Sequence, residues 1–291
     1  MEKALQYIIT QNLSHLFPDI NNFSITPGVR GSINETYRIN FPDNAVFCKV
    51  NSTVEFPQLF QKEMNGLDFI RRQDIIKVPE AIRCFEEEGK QFLILEWIQE
   101  GERTEGFWKK FGEQLAHLHK ITNISFGLKE DNYMGSVPQS NKLTGTWSKF
   151  FIDERLRPLV NKCLSKKLLS GLHSKQFQIL YNRIPQIFEE EPPSLLHGDL
   201  WSGNFMCDEN SEPVLIDPAV YFGHRSVDLG MTTLFGGFDE TFYDAYHYHF
   251  PFPNNEDEQW EICNLYPLLI HLYLFGGSYL PQIERILKRF A

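Results

Sequence analysis

The chain of 291 residues is poor in cysteine and has no CxxC pair. Its five thiols, at positions 48, 84, 163, 207 and 263, are odd in number and scattered. This argues against a disulfide framework or a structural zinc site, and fits the reduced thiols of a cytoplasmic protein. Basic charge is also scarce: 28 Lys and Arg stand against 38 Asp and Glu, for a net charge of −10. A general nucleic-acid binder would carry the opposite balance, although a local pocket with Mg²⁺ can still hold a phosphate ligand on an acidic protein. Long apolar runs are missing. The most apolar late stretch, "LYPLLIHLYLFGG", is too short and too interrupted to span a bilayer. The opening "MEKALQYIITQNLSHLF" reads as an amphipathic helix, with Leu5, Ile8, Ile9, Leu13 and Leu16 in helical period, and not as a signal peptide. Neither G-x-x-x-x-G-K-[ST] nor G-x-G-x-x-G occurs, so P-loop and dinucleotide folds drop away. There is no internal repeat and no low-complexity tract.

What remains is ordinary globular material, 42% hydrophobic and 23% charged, enough for one large domain or two modest lobes. The first hundred residues are strand-rich. "TYRINF" and "AVFCKV" alternate, the latter with Val46, Cys48 and Val50 on one face and Phe47 and Lys49 on the other. "FPQLFQKEMNGLDFIRR" predicts a helix with Phe60, Met64, Leu67 and Ile70 along one stripe; "KVPEAIRCF" and "KQFLILEWI" predict two more strands. After Ile98 the pattern turns helical. "GFWKKFGEQLAHLHKI", "WSKFFIDERLRPLVNKCL" and "HSKQFQILYNRIPQIF" follow a helical period, and "DNYMGSVPQSNKLTG" reads as a loop. "PVLIDPAVYFG" reads as one short buried strand ending in a turn. The expected fold class is α+β, with a small β-rich lobe over residues 1–97 and a larger, mainly helical lobe over 98–291.

The chemistry gathers in "LLHGDLWSGN", residues 195–204. Asp199 and Asn204 have the D-x-x-x-x-N spacing of a kinase-type catalytic loop, where the Asp accepts a hydroxyl proton and the Asn amide oxygen binds Mg²⁺. Mg²⁺ prefers hard oxygen ligands, and a second one is expected on a nearby strand end, where "VLIDP" supplies Asp217. A capping turn would also explain a lone D-x-x-x-x-N; the His-Gly in front and the buried strand behind favour the catalytic reading. A phosphate-pairing lysine should come from an early strand and a glutamate from the next helix; Lys49 and Glu63 stand in that order. "GVRGSINETY" could cover phosphates with its backbone N–H groups, together with Gly31, Ser32 and Asn34. "HYH" at 247–249 has metal-like spacing, but it reads as a helix or loop surface.

"LLHGDLWSGN" followed by "LIDPAVYFGHRSVDLGMTTLFGGF" closely resembles the fructosamine/ketosamine kinase family, within the protein-kinase-like group that includes aminoglycoside and choline kinases. "RGSINETYRI", "VFCKVN", "KEMNGL" and "LAHLH" are similar to its other landmarks, in the same order, so the resemblance covers nearly the whole chain. It implies a bilobal kinase-like fold and ATP-dependent phosphorylation of a ketosamine sugar hydroxyl, the 3-hydroxyl. By position it makes Asp199 the base, Asn204 and Asp217 the Mg²⁺ ligands, and Lys49 and Glu63 the ATP-anchoring pair. Glu96, Trp97 and Ile98 become the hinge that meets adenine, and Asp228 a buried brace for the catalytic loop. Trp201 is read as a platform for the sugar or amine, since an indole face suits C–H surfaces and cations. His224 and Arg225 are read as edging the substrate pocket. Arg30 departs from the family, which commonly has the first glycine of "GGSIN" there. The alternatives are a kinase for another small hydroxylated amine, such as an aminoglycoside or choline-like compound, and a pseudokinase binding module.

Overall fold

The computed structural model describes residues 2–14, 16, 22–28 and 33–291. Arg30, Gly31 and Ser32, in the expected phosphate-covering turn, lie outside the described residues. The chain begins with α1 (Glu2–Leu13), then β1 (Ser24–Pro27), β2 (Glu35–Asn40), β3 (Ala45–Ser52), α2 (Leu59–Arg71), β4 (Ala81–Glu87) and β5 (Lys90–Glu96). The strands form one sheet in the order β1-β2-β3-β5-β4, and every pairing is antiparallel. β1 is an edge strand of four residues ending in Pro27, too short for an alternating signal and so not expected from the sequence. Strand alternation sorts the two faces. Val46, Cys48, Val50, Phe92 and Ile94 pack with Leu5, Ile8, Ile9 and Leu13 of α1. Leu93 and Leu95 join a second core with Phe60, Leu67 and Ile70 of α2.

The start of α2 matters for the site, because Glu63 sits in its second turn. Gln58, the residue before the helix, is left-handed (φ 59°) and gives no side-chain cap. The buried Gln91 of β5 supplies one instead. Its Oε1 accepts from the Phe60 N–H at 3.0 Å, while its Nε2 donates to the Ser52 and Phe56 carbonyls. The sheet thereby fixes where the helix begins.

The helical part opens with α3 (Glu105–His119), capped by Thr104 Oγ1, which accepts from the Phe107 N–H. Next come β6 (Asn132–Met134) and β7 (Val137–Gln139), a hairpin where the sequence suggested a loop. Buried polar side chains build it: Asn132 donates to the Val220 carbonyl at 2.8 Å, and Gln139 to Asn132 at 2.8 Å. α4 (Trp147–Phe150), a π-turn (151–156) and α5 (Arg157–Ser165) form one continuous helical run, and α6 (Gly171–Ile187) follows. Short strands β8 (Ser194–Leu196), β9 (Phe205–Cys207), β10 (Pro213–Leu215) and β11 (Tyr221–Gly223) frame the loops of interest, pairing β9 with β10 and β8 with β11. "PVLIDPAVYFG" is therefore two strands and not one, broken where Asp217 adopts φ 55° before Pro218. α7 (Ser226–Leu234), α8 (Glu240–His249), α9 (Glu256–Cys263), α10 (Leu265–Phe275) and α11 (Leu280–Phe290) complete the chain. Among the described residues, no helix is long and apolar enough to cross a membrane.

Two features hold the parts in register. The seam between sheet and helices is laced by backbone: Leu215 N–H donates to the Lys77 carbonyl, and Gly101 N–H to the Cys207 carbonyl, each at 2.9 Å. α3 and α8 run parallel in close contact, because Gly112 leaves room for the α8 backbone. A Cβ at residue 112 would lie 2.2 Å from the Phe242 carbonyl oxygen and 2.9 Å from the Tyr246 nitrogen. Helix propensity alone makes Gly112→Ala stabilising by about 1 kcal/mol. Overpacking against backbone reverses the sign, and we expect a loss of roughly 1–3 kcal/mol, read by urea denaturation. A gain in stability would show that the two helices can part at no cost.

Candidate active site

The site is built on the loop between β8 and β9, which turns at Gly198 (φ 84°). A side chain there would strike the Ala219 carbonyl oxygen at 2.2 Å, so the sharp turn requires glycine. The fully buried Asp228 of α7 holds the turn from beneath. Its carboxyl oxygens accept from the backbone N–H groups of His197 (2.7 Å) and Gly198 (2.8 Å). His119 of α3 adds a third bond, Nε2 to Asp228 Oδ2 at 3.1 Å, and the Tyr246 hydroxyl of α8 lies 2.8 Å from His119 Nδ1. His197 is also buried. Its Nε2–H donates to the Ile216 carbonyl at 2.9 Å, and its Nδ1 accepts from the Asp199 N–H at 3.3 Å. Burial pushes this imidazole below its ordinary range, against the pull of Asp228, which suits a neutral ring that ties the loop to the Asp217 segment.

Asp199 and Asn204 meet across the loop. Asn204 Nδ2 donates to the Asp199 carbonyl oxygen (2.8 Å) and to its Oδ2 (3.1 Å). With the amide nitrogen so engaged, Asn204 Oδ1 has no hydrogen bond among the described residues. Burial, with the nearby Asp217 charge, pushes the Asp199 carboxyl up to about 7, while the bond from Asn204 opposes the rise.

Lys49 joins the sheet to this loop. It projects from β3 on the face opposite Cys48 and Val50, and it is buried. Its Nζ lies 2.7 Å from Glu63 Oε1 and 2.5 Å from Asp217 Oδ1, so one ammonium serves two carboxylates from different parts of the chain. Burial would lower the lysine, but Asp217 and Glu63 outweigh it and hold Lys49 above its ordinary value. Burial pushes Glu63 up to about 7 against the pull of Lys49. Removing the lysine would leave two facing carboxylates unpaired, a costly arrangement.

These groups open onto one cleft of about 640 Å³. Asn34, Glu63, Asp199, Trp201, Asn204 and Asp217 all line it. Asn34 is set in place by Asn51, whose Nδ2 donates to its Oδ1 at 2.7 Å. Trp201 is 38% exposed and packs edge-on against Phe235 at 5.8 Å. The aromatic wall continues through His271 and Phe275, in a stretch ("LYPLLIHLYLFGG") read from the sequence only as too short for a membrane span, and through Tyr279 just beyond it. Glu96 ends β5 and Trp97 and Ile98 follow it; none of the three is among the residues that line this cleft. Glu96 accepts from the Glu80 N–H at 3.1 Å, Trp97 carries the Arg38 guanidinium 4.2 Å over its ring, and Ile98 is buried.

His224 does not edge the cleft. It is 2% exposed, wedged between Trp147 (5.8 Å) and Phe188 (5.1 Å). Arg225 is equally buried, in a two-pronged pair with Glu191 at 2.9 and 2.8 Å. The chain turns inward after β11, which proximity in sequence could not reveal. Burial depresses the His224 imidazole to about 4. Its Nδ1 accepts from the Ser226 N–H at 3.3 Å, while Nε2 is buried without a hydrogen bond. Between about 6.5 and about 4 the unfolded chain therefore binds a proton that the folded chain does not, and stability falls as pH drops through that window. The loss from this residue is roughly 3 kcal/mol. Urea denaturation across pH should show it, and His224→Gln should flatten the slope; an unchanged slope would show that His224 is not held neutral.

Comparisons with known proteins agree with this geometry. The fructosamine kinase family model matches residues 4–291. A candidate ketoamine kinase of Enterococcus faecium is 34% identical over 271 residues, covering 92% of this chain and 96% of the relative. The chloroplastic protein-ribulosamine 3-kinase of Arabidopsis thaliana is 34% identical over 254 residues, covering 86% and 77%. The solved structure of a candidate fructosamine-3-kinase from Haemophilus somnus superposes with a TM-score of 0.87 at 27% identity, over 97% of this chain and 96% of that one. At the level of fold alone, choline kinase from Streptococcus pneumoniae gives a TM-score of 0.63 at 14% identity, over 98% of each chain. The α+β architecture is thus that of the protein-kinase-like phosphotransferases, and the chain is a kinase that belongs to the fructosamine kinase family.

Proposed function

We propose that the cleft binds ATP and transfers its γ-phosphoryl group to the 3-hydroxyl of a ketosamine sugar. The observation that carries the reading is the convergence of Lys49 from β3, Asp199 and Asn204 from the β8–β9 loop and Asp217 from the segment after β10, beside one exposed tryptophan. In this reading residues 1–97 form the nucleotide-facing lobe and 98–291 the catalytic lobe. Backbone groups at Glu96–Ile98 meet adenine, and the turn containing Gly31, Ser32 and Asn34 covers the phosphates. Phosphate oxygens compete with Asp217 for Lys49, while Glu63 keeps the ammonium in place.

Asn204 Oδ1 and the 41%-exposed Asp217 carboxylate are hard oxygen donors on the same cleft, and they fit Mg²⁺. When bound, that ion supplies charge neutralisation on the phosphates. Asp199 does the proton work. It accepts the proton of the substrate hydroxyl as that oxygen bonds to the γ-phosphorus and the bridging oxygen leaves with ADP. Burial raises this carboxyl above its ordinary range, which suits a general base better than an exposed carboxylate would. The rest of the catalysis is positioning. Trp201 offers its face to the sugar or its amine. Once the ketosamine enolises, phosphate leaves carbon 3 by elimination, and water hydrolyses the resulting imine, freeing the amine and releasing the sugar as a dicarbonyl, which makes the reaction a deglycation repair.

The test is a Mg·ATP assay over free and protein-bound fructosamines, ribulosamines and erythrulosamines, with aminoglycosides and choline as comparison acceptors. ADP release gives turnover, and phosphorus–proton NMR correlation locates the phosphate. We expect ketosamines to be phosphorylated at oxygen 3. Turnover restricted to choline or aminoglycosides would replace this reading with that of another small-amine kinase.

A further inference from the structure

The parallel helices α3 and α8 end side by side. Contacts step along them in the same direction, from Phe111–Phe242 (5.1 Å) to His117–His249 (5.1 Å). At that shared end stand Glu113 and His117, one helical turn apart on α3, and His249 in the last turn of α8. Their ligand-type atoms lie within 4.8 Å of one another, the one such group of His, Cys, Asp or Glu among the described residues. His249 Nε2 is 3.8 Å from Glu113 Oε1, too long for a hydrogen bond and short enough for a shared ion. None of the three lines the cleft described above.

We propose that Glu113, His117 and His249 bind a divalent transition-metal ion of the zinc class, which clamps α3 to α8. Two imidazoles and a carboxylate are the donor set such ions prefer, and Mg²⁺ and Ca²⁺ favour oxygen ligands instead. Metal–nitrogen and metal–oxygen bonds of about 2.0–2.2 Å put tetrahedral ligands roughly 3.3 Å apart. The present separations close to that value by small side-chain rotations. The backbone need not move, because close packing at Gly112 already fixes the two helices. Both helices also direct their C-terminal ends at the site, and that end of a helix favours a cation. Water would complete the coordination.

The H-x-H pair visible in the sequence is not the ligand pair. His247 Nδ1 accepts the Phe252 N–H at 3.1 Å, and its ring packs on Phe252. His249 instead faces the other helix. On α3, His117 stands two residues before His119, which contacts Asp228, and on α8, His249 stands three residues after Tyr246. A bound ion would therefore stiffen the two helices that support the brace beneath the catalytic loop.

The experiment is isothermal titration of the metal-stripped full chain with Zn²⁺ alone, alongside thermal melts with and without Zn²⁺. We expect one equivalent bound at micromolar concentration and a Zn²⁺-dependent rise in Tm. Glu113→Gln, His117→Ala and His249→Ala should each weaken binding by at least about tenfold and abolish the rise, whereas His247→Ala should retain both. Melts of the metal-free variants identify any that is misfolded, and Glu113→Gln, which keeps the side-chain shape, carries the test if a histidine variant is lost. No binding by the wild type below millimolar Zn²⁺, or wild-type affinity retained by Glu113→Gln and His249→Ala, would overturn the proposal.

Discussion

The geometry of the active site rests on one buried carboxyl group. Asp228 has no contact with water and accepts hydrogen bonds from two successive backbone amides and from His119. A polar group so deeply buried is tolerable only when its bonding capacity is met, and here the partners that meet it are the backbone of the turn itself. The turn cannot relax without leaving Asp228 unsatisfied. Asp228 cannot move without breaking its link to α3, and through His119 to Tyr246 of α8. A three-dimensional scaffold of two helices is thereby coupled to the path of three residues, His197 to Asp199.

The second constraint crosses the cleft. Lys49 comes from the sheet, Glu63 from a helix whose start is capped by the sheet's own Gln91, and Asp217 from the segment after β10. One buried ammonium between two carboxylates is held by charge, and Glu63 tolerates its burial because of it. In the proposed reading, phosphate oxygens offer the lysine an alternative to Asp217. The candidate site residues thus come from both sides of the cleft, while Asp228 and Gln91, which do not line it, set their positions.

Much of this was legible in the sequence because it depends on local order. Alternation in "AVFCKV" placed Lys49 opposite Cys48 and Val50; the stripe of Phe60, Leu67 and Ile70 set the helix that carries Glu63; the spacing of Asp199 and Asn204 suits a loop where one amide meets one carboxylate. What was hidden depends on long-range packing. Gln91 looks like any polar strand residue until its side chain is seen at the mouth of α2. His224 follows a conspicuous motif, but it points into the core against Trp147 and Phe188. His271 on α10 and Tyr279 just after it stand 70 and 78 residues beyond Trp201 and line the same cleft. The β6–β7 hairpin was concealed by its polar composition, because its order comes from buried amide bonds and not from apolar alternation.

The central claim is that Asp199 takes the proton of the acceptor hydroxyl while Lys49, Asn204 and Asp217 handle the phosphates. The most direct measurement is single-turnover rapid-quench kinetics of Asp199→Asn, with saturating Mg·ATP and ketosamine, paired with the nucleotide dissociation constant of the same variant. The account predicts a fall of about 10²–10⁴ in the phosphoryl-transfer rate, the usual contribution of a positioned general base, with nucleotide affinity nearly unchanged. A transfer rate equal to wild type would contradict it and require another base.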